Sequence, residues 1–145
     1  MTTYQHTQFG GTIVYPLIAI IVIAIGVALI SPIARIALII AIPLALTIWI
    51  FSKMTITIDE TRVRAAFGPG FVYKDVALRD IESVKPLHVQ WWYGWGIHLT
   101  PYGWLYNVSG RDAVAIRLRN GQQLCLGTDQ PAELVDAIRR SASAR

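Results

Sequence analysis

The sequence contains a single cysteine, Cys125, among its 145 residues. An intramolecular disulfide is therefore excluded, which points weakly away from an oxidising compartment. Leu124 and Leu126 flank the cysteine in an apolar run typical of a strand. We therefore interpret Cys125 as a packed thiol rather than a reactive one.

Charged residues are almost missing from the first third of the chain. Residues 1–52 hold one basic residue, Arg35, and no acidic residue, whereas residues 53–145 hold the other 12 basic and all nine acidic residues. The net charge of +4 comes from basic residues interleaved with acidic ones and not from a basic cluster. This distribution argues against binding to nucleic acid.

Motifs for catalysis and for metal or phosphate binding are also missing. The histidines His6, His88 and His98 lack the spacing of metal ligands, and the cysteine stands apart from them. The glycine-rich pieces FGPG and YGWG lack the Lys-Ser/Thr sequence or the strand–helix context of a phosphate-binding loop. Asp59 and Glu60 are neighbouring carboxylates that we interpret as turn residues. We expect no catalytic residues, no metal, no cofactor and no small-molecule substrate.

Long uncharged stretches dominate the first 52 residues instead. Residues 13–30 and 36–51 carry no charge, and Ser31-Pro32 between them is a turn signal. Each stretch approaches the ~20 residues that a membrane-spanning helix needs, and neither has a polar face. No basic segment precedes the first run and a second run follows at once, which disfavours a signal peptide. We predict a transmembrane helical hairpin over residues 12–52, after an N-terminal tail over residues 1–11.

Residues typical of a membrane interface lie near the two free ends of this hairpin. Tyr15, Trp49 and Lys53 are predicted at one membrane face. The loop between the helices offers only Arg35, whereas three basic residues lie between positions 53 and 64 on the other side. This bias predicts that both termini are cytoplasmic. Alanines four residues apart on each helix are typical of close helix packing in lipid, although alanine is common in such helices.

After Lys53 the hydrophobic period changes to two, which is the period of strands. In MTITI and RVRAAF, apolar residues alternate with threonine or arginine, and Asn120-Gly121 between two apolar runs predicts a hairpin. Near the C-terminus, Thr128 or Asp129 is a candidate cap before an amphipathic helix. We predict an α+β fold in which a strongly bent sheet or barrel of about seven strands is capped by this helix.

This order of elements resembles the pleckstrin-homology (PH) fold, and more narrowly the bacterial membrane proteins in which a two-helix hairpin precedes a PH-like domain. The resemblance covers about residues 12–142. It is carried by the hairpin, by WWYGWGI at 91–97, by VSGRDAVAIRLRNGQQLCLGTDQPAELVDAI at 108–138, and by a strand start after Lys53. It implies a PH-like domain over residues 53–142, a C-terminal tail over residues 143–145, and a multi-pass protein of the inner (cytoplasmic) membrane. Family members often carry a basic residue after GWGI, where this chain has His98.

The densest aromatic stretch, residues 91–106, holds four tryptophans and three tyrosines. Successive strand residues point to opposite faces, so these rings cannot all enter one small core. Exposed aromatics usually mark contacts, here with the membrane interface, another copy of the chain or a different membrane protein. The alternative is a bent hairpin whose rings pack on each other and on the barrel. The candidate binding residues are Trp91, Trp92, Tyr93, Trp95, His98, Tyr102 and Trp104.

A second candidate surface is basic. The resemblance implies a lipid-headgroup site at the first hairpin, because lipid-binding PH domains commonly place a Lys-x-Arg pattern there. The segment here is IDETRVR, in which Arg62 and Arg64 share a strand face, and Lys74 is a third basic candidate. Asp59 and Glu60 precede the arginines and would repel phosphate. A solvated strand face is the alternative reading.

These features predict a non-catalytic, membrane-anchored binding or scaffolding module that mediates protein–protein contacts at the cytoplasmic membrane face. One alternative is an accessory or structural subunit of a larger membrane complex, and a second is a module that senses anionic lipids. The expected partners are membrane lipids, through two transmembrane helices, and other membrane proteins or further copies of the chain.

Overall fold

The computed structural model describes residues 3–30 and 34–143. A first strand, β1 (Tyr4–Phe9), leads into two helices, α1 (Gly11–Ile30) and α2 (Ala34–Phe51). A run of strands follows, and helix α3 (Pro131–Ser143) comes last. The strands after α2 are β2 (Lys53–Ile58), β3 (Arg62–Phe67), β4 (Val72–Ala77), β5 (Ile81–His88), β6 (Gly96–Thr100), β7 (Gly103–Asn107), β8 (Asp112–Leu118) and β9 (Gln123–Gly127).

The strands form two sheets. The first has the order β1-β2-β3-β4 and is antiparallel throughout. The second has the order β5-β8-β9-β7-β6, in which β7 and β9 are parallel and the other neighbours antiparallel. The chain is thus α+β, with nine strands and a C-terminal helix in the part that the structure describes.

The core lies between the two sheets and α3. Its members come from alternate positions of β2 and β3, as the period of two predicted, and include Met54, Ile56 and Phe67. The second sheet contributes residues such as Ile116, and α3 contributes Leu134, both fully buried. The predicted hairpin at Asn120-Gly121 is present as the β8–β9 connection.

Helices α1 and α2 contact each other, and both join the first sheet with almost no linker. Phe9 at the end of β1 pairs with Lys53 at the start of β2, so α1 begins beside the point where α2 ends. By length and composition, α1 can cross a membrane, and only 6% of its apolar stretch is buried in the structure. The apolar stretch of α2, Ile39–Phe51, is shorter than α1. The predicted turn at Ser31-Pro32 lies outside the described residues.

Two sequence predictions need correction. Residues 1–11 were assigned to a tail, but Tyr4–Phe9 is a strand paired with β2 along its whole length. The first sheet therefore contains chain from both sides of the helices. Residues 3–30 and 34–143 form nine strands rather than about seven, because β1 and the short strands β6 and β7 add to the segments that alternation marks clearly.

Candidate functional site

The direction of each strand divides the β-domain into two ends. We call the end where β1 enters α1 and α2 enters β2 the helix end, and the opposite one the far end. Strand β3 runs antiparallel to β2, so the end of β3 lies beside the start of β2. The β3–β4 turn at residues 68–71 therefore lies at the helix end. The turns at residues 59–61 and 119–122 lie at the far end, at the opposite ends of their strands.

The β3–β4 turn contacts the last turn of α2 directly. The Gly68 amide donates a hydrogen bond of 2.8 Å to the Lys53 carbonyl. A Cβ atom at Gly68 would lie 2.5 Å from the Ile50 carbonyl oxygen, so only glycine fits this approach. In the same turn, Phe71 is 73% exposed, and its ring lies 5.9 Å from the Trp49 ring.

The turn between β7 and β8 lies against the start of α1. The Gln8 side-chain amide donates to the Ser109 carbonyl at 2.9 Å, and the Ser109 and Thr12 hydroxyls lie 3.3 Å apart. The fully buried Asn107 shapes this turn, because its amide group donates to the Gly110 carbonyl and its oxygen accepts from the Ser109 amide. These contacts place the helix end of the second sheet beside α1.

The aromatic segment 91–95 lies at the same end of the second sheet. Just before it, the Val89 amide donates to the Arg111 carbonyl at 2.7 Å, and just after it Gly96 pairs with Asn107. Trp91, Trp92 and Trp95 are 68%, 61% and 38% exposed.

The segment is held by one of its four rings. Tyr93 packs against a small buried cluster on the outer face of the second sheet. The Trp91 and Trp92 rings meet each other edge to face, at 5.9 Å. The cluster consists of Val89, Leu105, Ala113 and Cys125.

The remaining aromatic candidates, Tyr102 and Trp104, lie closer to the far end, together with Leu99. Leu99 and Trp104 are paired across β6 and β7 and are 70% and 50% exposed. Leu99 lies three residues beyond Gly96 in β6, and Trp104 lies at the same level in β7, so both are ~10 Å along the strands from the helix end. Tyr102 occupies the turn beyond them and is 43% exposed. An open groove of about 370 Å³ runs beside this pair, lined among others by Lys74, Leu99, Trp104, Tyr106 and Leu118.

His98 belongs to neither group of exposed rings. Its Nε2 hydrogen-bonds the Trp95 carbonyl, so the imidazole links β6 back to the preceding segment. The sequence treated residues 91–104 as one candidate surface, and the structure divides that set into a helix-end part and a part nearer the far end.

The three basic candidates do not converge. Arg64 forms two hydrogen bonds of 2.7 Å with Asp75, which lower the pKa of that carboxyl, and its guanidinium lies 4.7 Å from the Tyr73 ring centroid. Arg62 also contacts Asp75, at 3.4 Å. Lys74 lies opposite Ala65 in the register and so on the other face from both arginines.

Arg62 is also distant from the helices. It begins β3 at the far end, five residues before Phe67 at the helix end. This separation corresponds to ~17 Å along the strand.

The predicted membrane-interface residues lie at one end of the helix pair. Tyr15 in the first turns of α1 is 68% exposed, and Trp49 in the last turn of α2 is 54% exposed. Lys53 follows at the first position of β2. Phe9 belongs to the same group, because its ring packs edge to face on Tyr15 and is 54% exposed.

The titratable residues form separate small contacts. His6 pairs with Asp129 and so ties β1 to the chain before α3, while His88 pairs with Asp112 at 2.8 Å. Burial raises the pKa of the Cys125 thiol to about 11. Among residues 3–30 and 34–143, no group of three metal-ligating side chains comes together.

Three exposed apolar residues of these surfaces, Phe9, Phe71 and Leu99, were not among the sequence-predicted site residues. Phe71 follows the Gly-Pro-Gly turn and precedes β4, a position where alternation does not distinguish a buried residue from an exposed one. Leu99 lies in a hydrophobic strand and has the appearance of a core residue. The sequence signal that could have indicated exposure of Phe71 and Leu99 is their position beside turns rich in glycine or proline.

Comparisons with known proteins return no match: no family model, no curated protein and no solved structure is similar to this chain.

Proposed function

We propose that this chain is a non-catalytic binding module, anchored in the inner membrane by α1 and α2, whose PH-like β-domain contacts other proteins at the cytoplasmic face. The observation that carries the contact is the exposed pair Leu99 and Trp104 beside an open groove. The pair stands clear of the helix end, where a protein partner has access.

The anchoring rests on the helices. The 20 residues of α1 span ~30 Å, which matches the hydrocarbon core of a bilayer. The low burial of α1 is unlike that of a core helix in a soluble protein. A cleaved signal sequence is disfavoured for a structural reason: cleavage after α1 would remove β1, which pairs with β2 over six residues.

The protein contact rests on the edge of the second sheet. β6 is an outer strand of that sheet, and outer strands offer backbone groups for pairing with another chain. Leu99 and Trp104 add apolar and aromatic area on the neighbouring face, and tryptophan is among the residues enriched in binding hot spots. Lys74 at the groove rim would favour an acidic segment in the partner.

The accessory-subunit alternative uses the same surface, buried permanently in a larger complex. The lipid-sensing alternative has less support. Asp75 already neutralises Arg64 in part, and Arg62 lies at the end of β3 remote from the helices.

The test compares the mass of the complex extracted in mild detergent for three forms of the full chain. The wild type is expected at a mass above the 16.1 kDa of one chain. The double variant Leu99→Ser with Trp104→Ser should lose about 1–2 kcal/mol at each position, or roughly 100-fold in affinity, and run at a lower mass. The matched control, Trp91→Ser with Trp92→Ser, removes similar exposed area at the helix end and should keep the wild-type mass.

Thermal unfolding of each variant checks that the exposed substitutions leave the fold intact. Other proteins present in fixed ratio in the wild-type complex would favour the accessory subunit over self-association. A wild type at the mass of one chain, or an unchanged mass in the Leu99/Trp104 variant, would overturn the proposed contact.

A further inference from the structure

We propose that the aromatic side chains at the helix end contact the headgroup region of the bilayer. These contacts would hold the β-domain against the membrane in one fixed orientation. This inference rests on the membrane anchoring proposed above. It assigns the segment 91–95 to lipid rather than to a protein partner, and it adds Phe71, which no sequence pattern singled out.

The first support is continuity with the helices. Phe71 lies against Trp49 in the last turn of α2, and Phe9 lies against Tyr15 in the first turns of α1. If α1 enters the bilayer near Gly11, these four rings lie within about one helical turn of the membrane surface. Tryptophan and tyrosine at such positions are typical of the membrane–water interface.

The second support is the position of the segment 91–95. It connects β5 to β6, which are the two outer strands of the second sheet. Since three central strands lie between them, the segment must traverse the sheet by the width of four strand spacings, or ~19 Å. It does so at the helix end, where the neighbouring turn touches α1 through Ser109. The tryptophans therefore extend the aromatic area sideways from the helices.

The third support is the contrast between the two ends of the domain. Two of the far-end turns carry polar and charged residues, with Asp59 in one and Arg119 and Asn120 in the other, while the β6–β7 turn carries the half-exposed Tyr102. At the helix end, five large apolar side chains are exposed: Phe9, Phe71, Trp91, Trp92 and Trp95 are between 38% and 73% exposed. Exposed aromatic area of this extent on one side usually marks a contact surface.

Cationic residues accompany the aromatic ones. Lys53 begins β2 at the helix end, and Arg111 lies in the turn beside α1, both exposed. Lysine and arginine at the ends of spanning helices interact favourably with anionic headgroups. A protein partner at this surface would have to fit between the domain and the bilayer, whereas lipid is already there.

The test places an environment-sensitive fluorophore on single cysteines in the full chain, in a Cys125→Ala background, reconstituted into vesicles of phosphatidylcholine and phosphatidylglycerol. The reporting sites are Phe71→Cys and Trp92→Cys at the helix end. The matched control is Arg79→Cys near the far end, whose side chain is 79% exposed. Val22→Cys in the middle of α1 reports on the anchoring itself.

We expect a blue-shifted emission and strong quenching by headgroup-labelled lipids at positions 71 and 92, and neither effect at position 79. The proposal is overturned if positions 71 and 92 are as accessible to water-soluble quenchers as position 79. The label at position 22 distinguishes membrane anchoring by α1 from contact between the β-domain and the bilayer. Quenching there by lipids labelled deep in the acyl chain, with water-exposed labels at 71 and 92, would leave the anchoring intact and refute only the seating of the domain. A water-exposed label at 22 would refute both.

Discussion

Replacing Gly68 by alanine tests the contact between the helices and the β-domain most directly. Gly68 has a backbone φ of +49°, in the left-handed region, and a Cβ atom there would lie 2.5 Å from the Ile50 carbonyl oxygen and 2.7 Å from that of Trp49. Both obstacles are backbone atoms of α2, so no side-chain rotation can relieve the overlap. The β3–β4 turn or the end of the helix must move.

Two terms make up the expected loss of stability. An alanine in the left-handed region costs about 1–2 kcal/mol, and forcing an extra carbon into a packed site costs about 1–3 kcal/mol more. We therefore expect Gly68→Ala to lower the free energy of unfolding by about 2–5 kcal/mol. Gly121 supplies the matched control, because its φ of +84° is also positive and its Cβ position has no atom within 4 Å. Gly121→Ala should lose only the conformational term, about 1–2 kcal/mol.

The assay is chemical unfolding of the full chain in detergent micelles, followed by circular dichroism, for the wild type and both variants. A larger loss at position 68 than at position 121 is the expected result. Since the φ at Gly68 is closer to the value that alanine tolerates, conformation alone would make Gly121→Ala the worse substitution. Equal losses, or a larger one at 121, would refute the close approach of the turn to α2.

Two further predictions concern titratable groups. Hydrogen bonds from Thr61 lower the pKa of Asp59 to about 2, so the stability that this group contributes is present above about pH 4 and is lost as the pH falls towards 2. Asp59→Ala should therefore lower the free energy of unfolding by about 1 kcal/mol at pH 7, a value reduced for the partial exposure of the carboxyl. Urea unfolding at several pH values checks this, and a difference that persists unchanged at pH 2 would contradict it. The buried Cys125 thiol, with its pKa raised to about 11, should resist iodoacetamide at pH 8 in the folded chain and react after unfolding. Equal alkylation rates in the folded and unfolded chain would show that the thiol is accessible.

Much of the β-domain could be predicted from local sequence. Met54, Ile56 and Ile58 are buried, and the threonines between them are half-exposed, because alternation over five residues reports directly on the two faces of a strand. The amphipathic stripe of α3 and the hairpin at Asn120-Gly121 are equally local signals. The basic residues Arg62 and Arg64 were correctly placed on one face, but their partner Asp75 comes from the next strand.

β1 shows where such signals fail. The strand YQHTQF is mostly polar, with the buried face supplied by Tyr4, His6 and Gln8, so its alternation carries little hydrophobic contrast. It forms because β2 offers a free edge for backbone pairing, although the two helices, some 40 residues long together, separate β1 from β2 in the sequence. That pairing depends on chain far away in sequence.

The sequence by itself determined the apolar helices, the alternating strands, the closing helix and the presence of aromatics that one small core cannot hold. The tertiary structure alone decided how these aromatics are distributed: Trp91 and Trp92 lie at the helix end, and Trp104 lies beside Leu99 away from that end. The physical reason is that hydrophobic periodicity depends on neighbours a few positions apart. Which strand ends meet depends on the pairing of β5 with β8, of β7 with β9 and of β1 with β2. Those pairings join segments separated by loops or by whole helices, and no local pattern records them.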